Sequence, residues 1–145
     1  MTPSRHGRCL CGRIGFEWSG EPNWVAYCHC ESCRRNTASP ATAFFGVPVG
    51  AFRWTGETPE AYVSSPGVRR SFCARCGTPM AFAADAFPGE IHLYVAALDD
   101  PNSLRPAGHV HTGEQLDWFE ILDDLPRFEG GGADREPVGH GPRKT

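Results

Sequence analysis

Cys28-His29-Cys30-Glu31-Ser32-Cys33 packs three cysteines into six residues, and two smaller clusters flank it. Cys9-Leu10-Cys11 runs directly into Gly12, and Cys73-Ala74-Arg75-Cys76 into Gly77. Such close spacing lets two thiolates reach one ion from a tight turn. The glycines free the backbone to bring amide N–H groups up to the sulfurs. Seven cysteines are an odd number and cannot all pair within one chain. Met1–Arg8 is polar and has no signal-peptide apolar core. The expected compartment is therefore the reducing cytoplasm, where metal-binding or catalytic thiols are favoured over disulfides.

Seven divides naturally into four plus three. Cys9, Cys11, Cys73 and Cys76 can close a tetrahedral zinc site that staples the N-terminal strand to the Cys73–Cys76 turn. Closed four-ligand sites are structural and contribute folding free energy. Cys28, Cys30 and Cys33 remain, and three protein ligands with an open position are how catalytic zinc sites are built. Two zinc ions per chain are expected, the second the more labile. Spacing alone leaves other divisions open. The Cys28–Cys33 run can share a four-thiolate site with Cys73 or Cys76, and a redox pair or two disulfides are also compatible with it. Thiolate sites are strongly negative and need nearby cations and N–H donors. Arg34, Arg35, Arg69, Arg70 and Arg75 are candidates, and Arg34 or Arg35 can alternatively hold an anionic substrate.

Outside the clusters the chain reads as a loop-rich β protein. Its 145 residues suit one domain and include 17 glycines and 13 prolines, which argues against a helical bundle. Arg13–Trp18 alternates as a half-buried strand does. Trp24–Tyr27, Thr42–Val47, Ala51–Trp54, Met80–Ala83 and Ile91–Ala97 are further strand candidates. Ala61–Ser64 and Val68–Phe72 flank a Ser65-Pro66-Gly67 turn and predict a hairpin. Helical turns are expected at Glu31–Asn36 and Pro101–Leu104. The ordered domain is expected over 5–128. Residues 129–145, rich in glycine and charge, read as a disordered tail. A formal net charge of −3 and the lack of basic–aromatic runs count against nucleic acid. No apolar run approaches the roughly 18 residues of a membrane span.

The histidines are secondary candidates. His29 lies between two ligands, which constrains its backbone. His92 sits in an alternating strand and reads as structural. His109 and His111, two apart in a strand, share a face, where either can supply an acid or a fourth ligand. Trp118 and Phe119 are expected in the core.

Taken in order, Gly7-x-Cys9-x-Cys11-Gly12, Cys28-His29-Cys30-x-x-Cys33-Arg34-Arg35 and Phe72-Cys73-x-x-Cys76-Gly77 resemble the glutathione-dependent formaldehyde-activating enzyme family, which includes the centromere protein V type domain. Leu98-Asp99-Asp100-Pro101, His109-Val110-His111-Thr112, Trp118 and Leu125-Pro126-Arg127-Phe128 extend the likeness over about residues 7–128. The resemblance implies a mainly β, Mss4-like fold of several small irregular antiparallel sheets stapled by zinc, with short helical turns. It implies a structural zinc on Cys9, Cys11, Cys73 and Cys76, and a catalytic-type zinc on Cys28, Cys30 and Cys33. The implied activity joins formaldehyde, or a related small aldehyde, to glutathione or a similar thiol, which in reverse is carbon–sulfur lyase chemistry. His109, His111 and Arg34 would be auxiliaries. His111 stands where the family commonly carries Trp or Phe, which changes the polarity of whatever it lines. A zinc-stapled binding module or a thiol-adduct carrier is the alternative.

Overall fold

The two flanking cysteine clusters are both hairpin turns, and the strands around them build most of the fold. In the computed structural model, residues 5–131 and 136–142 are described. The elements are β1 (Arg5–Arg8), β2 (Ile14–Trp18), β3 (Trp24–Cys28), α1 (Glu31–Thr37), β4 (Thr42–Pro48), β5 (Phe52–Gly56), β6 (Glu60–Ser65), β7 (Val68–Phe72), β8 (Pro79–Ala84), β9 (Glu90–Tyr94), β10 (His109–Val110), β11 (Pro126–Arg127) and β12 (Gly139–His140). The chain divides into two units. One takes residues up to Trp24 together with Phe45–Leu104, and the other Val25–Phe44 together with the chain from Arg105 onward.

The first unit holds the antiparallel sheet β1-β2-β5 and the run β9-β8-β7-β6. In β2 the alternation works as read. Ile14, Phe16 and Trp18 are buried on one face, with Trp18 against Phe45 and Phe16 edge-on to Trp54. β6 and β7 form the expected hairpin, antiparallel with Glu60 opposite Phe72. Two expected strands have other bounds than read. Val49–Ala51 is a 3₁₀ turn before β5, and Val95–Ala97 is another, closed by Leu98 N–H donating to the Val95 carbonyl at 3.1 Å.

The second unit contains the run β12-β11-β10-β3 and the helix. Antiparallel pairing was the expectation throughout, but β10 pairs parallel with both β3 and β11. Two-residue strands with no local hairpin leave no trace in a sequence pattern. α1 is capped by its own motif, with Cys30 Sγ accepting the Cys33 N–H at 3.3 Å. It stops at Ala38, which is left-handed, just before Pro40. Within the expected tail, Gly139–His140 pairs antiparallel with β11, and the residues 132–135 and 143–145 lie outside those described. Trp118 is 73% exposed, so its assignment to the core is corrected. It belongs to an irregular stretch, where no strand or helix turns it inward. No helix among the described residues is long and apolar enough to cross a membrane.

His92 has the structural role its alternating strand suggested. Its Nε2 donates to Glu90 Oε1 at 2.7 Å, and the ring lies edge-on to Trp24 and stacked on Phe82. Trp24 Nε1 and Asn23 Nδ2 complete the carboxylate's donors at 3.1 and 2.8 Å. Burial pushes His92 below its usual pKa of 6.5, outweighing the opposing pull of Glu90. Burial raises the Glu90 carboxyl, but its three donors outweigh that and hold it low. The unfolded chain therefore takes up protons first. His92 contributes stability above about pH 6.5 that is lost as pH falls through its lowered folded value. Urea unfolding at pH 7 and pH 5 is expected to show a lower midpoint at pH 5. His92→Gln should remove part of that difference, and an unchanged difference would refute the assignment.

Candidate metal centres

The cysteine sulfurs fall into two groups. Those of Cys9, Cys11, Cys73 and Cys76 all lie within 4.8 Å of one another, and those of Cys28, Cys30 and Cys33 do the same. Each group sits within one of the two units.

The four-sulfur group is built from the β1–β2 and β7–β8 turns. Gly12 and Gly77 both have φ near +80°, a conformation that costs other residues, and each donates its N–H back to a cysteine carbonyl of its own turn. Thr78 links the turns, since its hydroxyl accepts the Leu10 N–H at 3.0 Å and lies 3.2 Å from Cys76 Sγ. Sγ–Sγ distances are 3.6 Å for Cys9–Cys11 and 3.8 Å for Cys11–Cys73. A disulfide would need about 2.05 Å. A tetrahedral ion with sulfur bonds of about 2.3 Å has edges of about 3.8 Å, which these spacings fit.

The same fit holds for the smaller group, where Cys28 and Cys33 sulfurs are 3.6 Å apart. Cys28 ends β3, Cys30 caps α1, and Cys33 lies in its first turn. Cys28 and Cys33 are buried while Cys30 is half-buried. Among the described residues, no histidine or carboxylate joins these three sulfurs as a fourth potential ligand.

Without a cation, charge is shared unequally among crowded sulfurs. Cys30 is held down at about 2, because the thiols of Cys28 and Cys33 donate to it; Cys28 is pushed up, first by Cys30 and then by Cys33. In the larger group the Thr78 hydroxyl leads in bringing Cys76 down to about 5. For Cys9, burial raises the thiol but the Ile14 N–H, with Cys11 and Cys73, outweighs it. For Cys11, the Arg13 N–H pulls downward, yet burial and the neighbouring cysteines carry it to about 11. A bound cation removes this competition by favouring the thiolate at every position.

The auxiliary residues separate. His109 and His111 do not share a face, because β10 ends at Val110 and His111 turns left-handed with φ 57°. His111 is partly exposed, lies 3.7 Å from Glu114, and its charge favours the Cys30 thiolate. His109 instead turns inward. Its Nδ1 meets the fully buried His29 Nε2 at 2.9 Å, and its Nε2 donates to Asp123 Oδ2 at 3.0 Å. Arg34 donates to the Glu114 carbonyl at 3.3 Å, while Glu114 Oε1 accepts the Glu31 N–H at 3.1 Å. The other arginines are engaged elsewhere. Arg35 pairs with Glu31, Arg69 with Asp85, and Arg70 lies over the Phe82 ring. The Ile14 and Cys33 N–H groups and the Thr78 hydroxyl face the sulfurs. Asp123, Glu114 and Thr78 were not read as functional from the sequence, where nothing distinguishes them from other surface polar residues.

Residues 4–114 match the family described as glutathione-dependent formaldehyde-activating enzyme. The chain belongs to that family. It is also similar to an uncharacterized lyase of Schizosaccharomyces pombe, with 36% identity over 81 residues. That stretch is 56% of this chain, and the chain spans 58% of the length of this curated relative. Among solved structures, a Rhodobacter sphaeroides protein from structural genomics superimposes with a TM-score of 0.56 and 22% identity, over 70% of this chain and 91% of that one. That likeness concerns the fold alone.

Elemental analysis of protein purified without oxygen is expected to find two metal ions per chain. Cys9→Ser should remove one and lower Tm by roughly 10–20 °C, as loss of several kcal/mol does. Cys30→Ser should remove the other with little change in Tm. Two ions retained in both variants would contradict the grouping.

Proposed function

We propose that the protein is a zinc-dependent carbon–sulfur lyase-type enzyme that joins a small aldehyde, formaldehyde or a close relative, to glutathione or a similar thiol. The observation carrying this reading is the three-sulfur group with no fourth protein ligand among the described residues. All-cysteine sites favour a borderline-soft ion such as zinc, and the family's description agrees with the thiol and the aldehyde. Cys9, Cys11, Cys73 and Cys76 would hold a structural zinc. Cys28, Cys30 and Cys33 would hold a second ion with a position left for substrate. The ion there would supply thiol activation, lowering the pKa of a sulfur ligand while keeping it nucleophilic.

The chain's own residues account for the rest. In the forward direction a carbon–sulfur bond forms, the carbonyl π bond breaks, and the proton leaves sulfur for oxygen. His111 can assist that transfer in this chain, because it is partly exposed and its charge reaches Cys30, but the resemblance implies Trp or Phe at this position in most of the family, so the reaction does not depend on it. The Arg34 guanidinium, on the last turn of α1, would hold a carboxylate of the thiol substrate. The reading places the protein in the cytoplasm, where its seven cysteines keep their thiols.

A second reading, a zinc-stapled binding module or adduct carrier, draws on Trp118, a large apolar side chain that is 73% exposed. Exchange NMR of formaldehyde with glutathione separates the two. Catalysis predicts adduct exchange well above the spontaneous rate, lost in Cys30→Ser and little changed in His111→Phe. Arg34→Ala should raise KM more than it lowers kcat. Exchange at the spontaneous rate with the adduct bound would favour the carrier, and no binding at all the module.

A further inference from the structure

Behind the three-cysteine group lies an array that the proposed reaction does not use. Tyr27, His109 and Arg127 are register partners on the adjacent strands β3, β10 and β11. The His109 ring is fully buried, stacked on Tyr27 at 4.8 Å and on His29 at 5.2 Å. Asp123 reaches it from an irregular segment and is itself tightly held. Arg127 Nη1 donates to Asp123 Oδ1, and the Leu125 N–H donates to the same oxygen at 3.0 Å. Arg127 is fixed in turn by the carbonyls of Ile121 and Leu125, both at 2.7 Å.

We propose that Asp123 is a positioning residue for the three-cysteine group. Through His109 it clamps the His29 ring, and so sets the backbone between Cys28 and Cys30 that brings the three sulfurs together. The proposal rests on the reading of that group as a metal site.

The geometry has a direction. An aspartate held by a guanidinium and an N–H can only accept, so His109 Nε2 carries a proton. Burial favours the neutral ring, which leaves Nδ1 to accept from His29 Nε2. His29 is then held by its side chain at 2.9 Å and by its N–H on the Val110 carbonyl at 3.1 Å. It is the single residue joining a strand end to a helix cap. With the ring fixed, Cys28 and Cys30 cannot rotate independently. Removing a group bonded directly to a metal ligand typically changes affinity 10–100-fold, and this array acts one step further back, through the backbone of His29, so a smaller change is expected.

The test compares wild type with Asp123→Ala, Asp123→Asn, His109→Phe and Leu122→Ala. Two readouts are used: chelator competition for each metal, and ¹H–¹⁵N spectra of the metal-free, histidine-labelled protein. Asp123→Ala and His109→Phe should lower affinity at the three-cysteine group, by about 10-fold at most, while the four-cysteine group keeps its ion. Asp123→Asn retains an acceptor oxygen and should recover part of the loss. Leu122→Ala, exposed on the same segment, should behave as wild type. In wild type, His29 and His109 should each show a fixed Nε2–H, and both variants should lose that pattern for His29. His109→Phe leaves the Asp123–Arg127 pair intact and decides the matter if Asp123→Ala does not fold. Folded variants with wild-type affinity and unchanged His29 signals would overturn the proposal and leave the site reading standing. Wild-type protein with metal only at the four-cysteine group would sink the site reading, and the His29 signals would then decide the positioning role alone.

Discussion

Crowded sulfur governs this molecule. Three or four thiolates within 4.8 Å of each other repel strongly, the more so where burial excludes water. Such a group persists as thiolates only around a cation, and otherwise most of its members keep their protons. The four-sulfur group acts over a long stretch of chain, since Cys11 and Cys73 are 62 residues apart. Closing a loop of that length is entropically costly and fixes two hairpin turns in one geometry. The buried face of β2, with Phe16 and Trp18, begins immediately after one of those turns. The staple and the apolar face of the first unit are therefore parts of one arrangement.

The three-sulfur group cannot work this way. Cys28, Cys30 and Cys33 span six residues, so an ion among them closes almost no loop and contributes little to the fold of distant segments. Its shape has to come from its surroundings. Those are the N–H groups at the start of α1, the parallel pairing of β10 with β3, and the buried His29–His109–Asp123 chain. This inverts the order seen in the first unit. There the sulfurs organise the chain, and here the chain organises the sulfurs.

What could be read in advance follows the range of each interaction. Cysteine spacing within a turn is local, so all seven candidate ligands were visible, and the alternation in Arg13–Trp18 gave the buried face of β2. The hairpin at Ser65-Pro66-Gly67 was equally local. The array around His109 joins residues 80 and 14 positions apart, and no spacing rule reaches that far. The parallel strands of the second unit are two residues long, too short for a period. His111 defeated the alternation rule because a left-handed residue ends the strand one position early. Trp118 was assigned to the core by residue type alone, in a stretch with no element to turn it inward.

These exceptions bear on the chemistry. Sharing a face, as the alternation rule expected, would have set the His109 and His111 imidazoles side by side in one strand. The left-handed turn at His111 separates them. His109 is committed to His29 and Asp123 in the interior, and His111 is left beside Glu114 at the surface. Neither belongs to the set of potential ligand atoms gathered with the sulfurs. The backbone conformation of one residue thus separates two imidazoles that the alternation rule would have placed on one face, and the three sulfurs gather with neither of them.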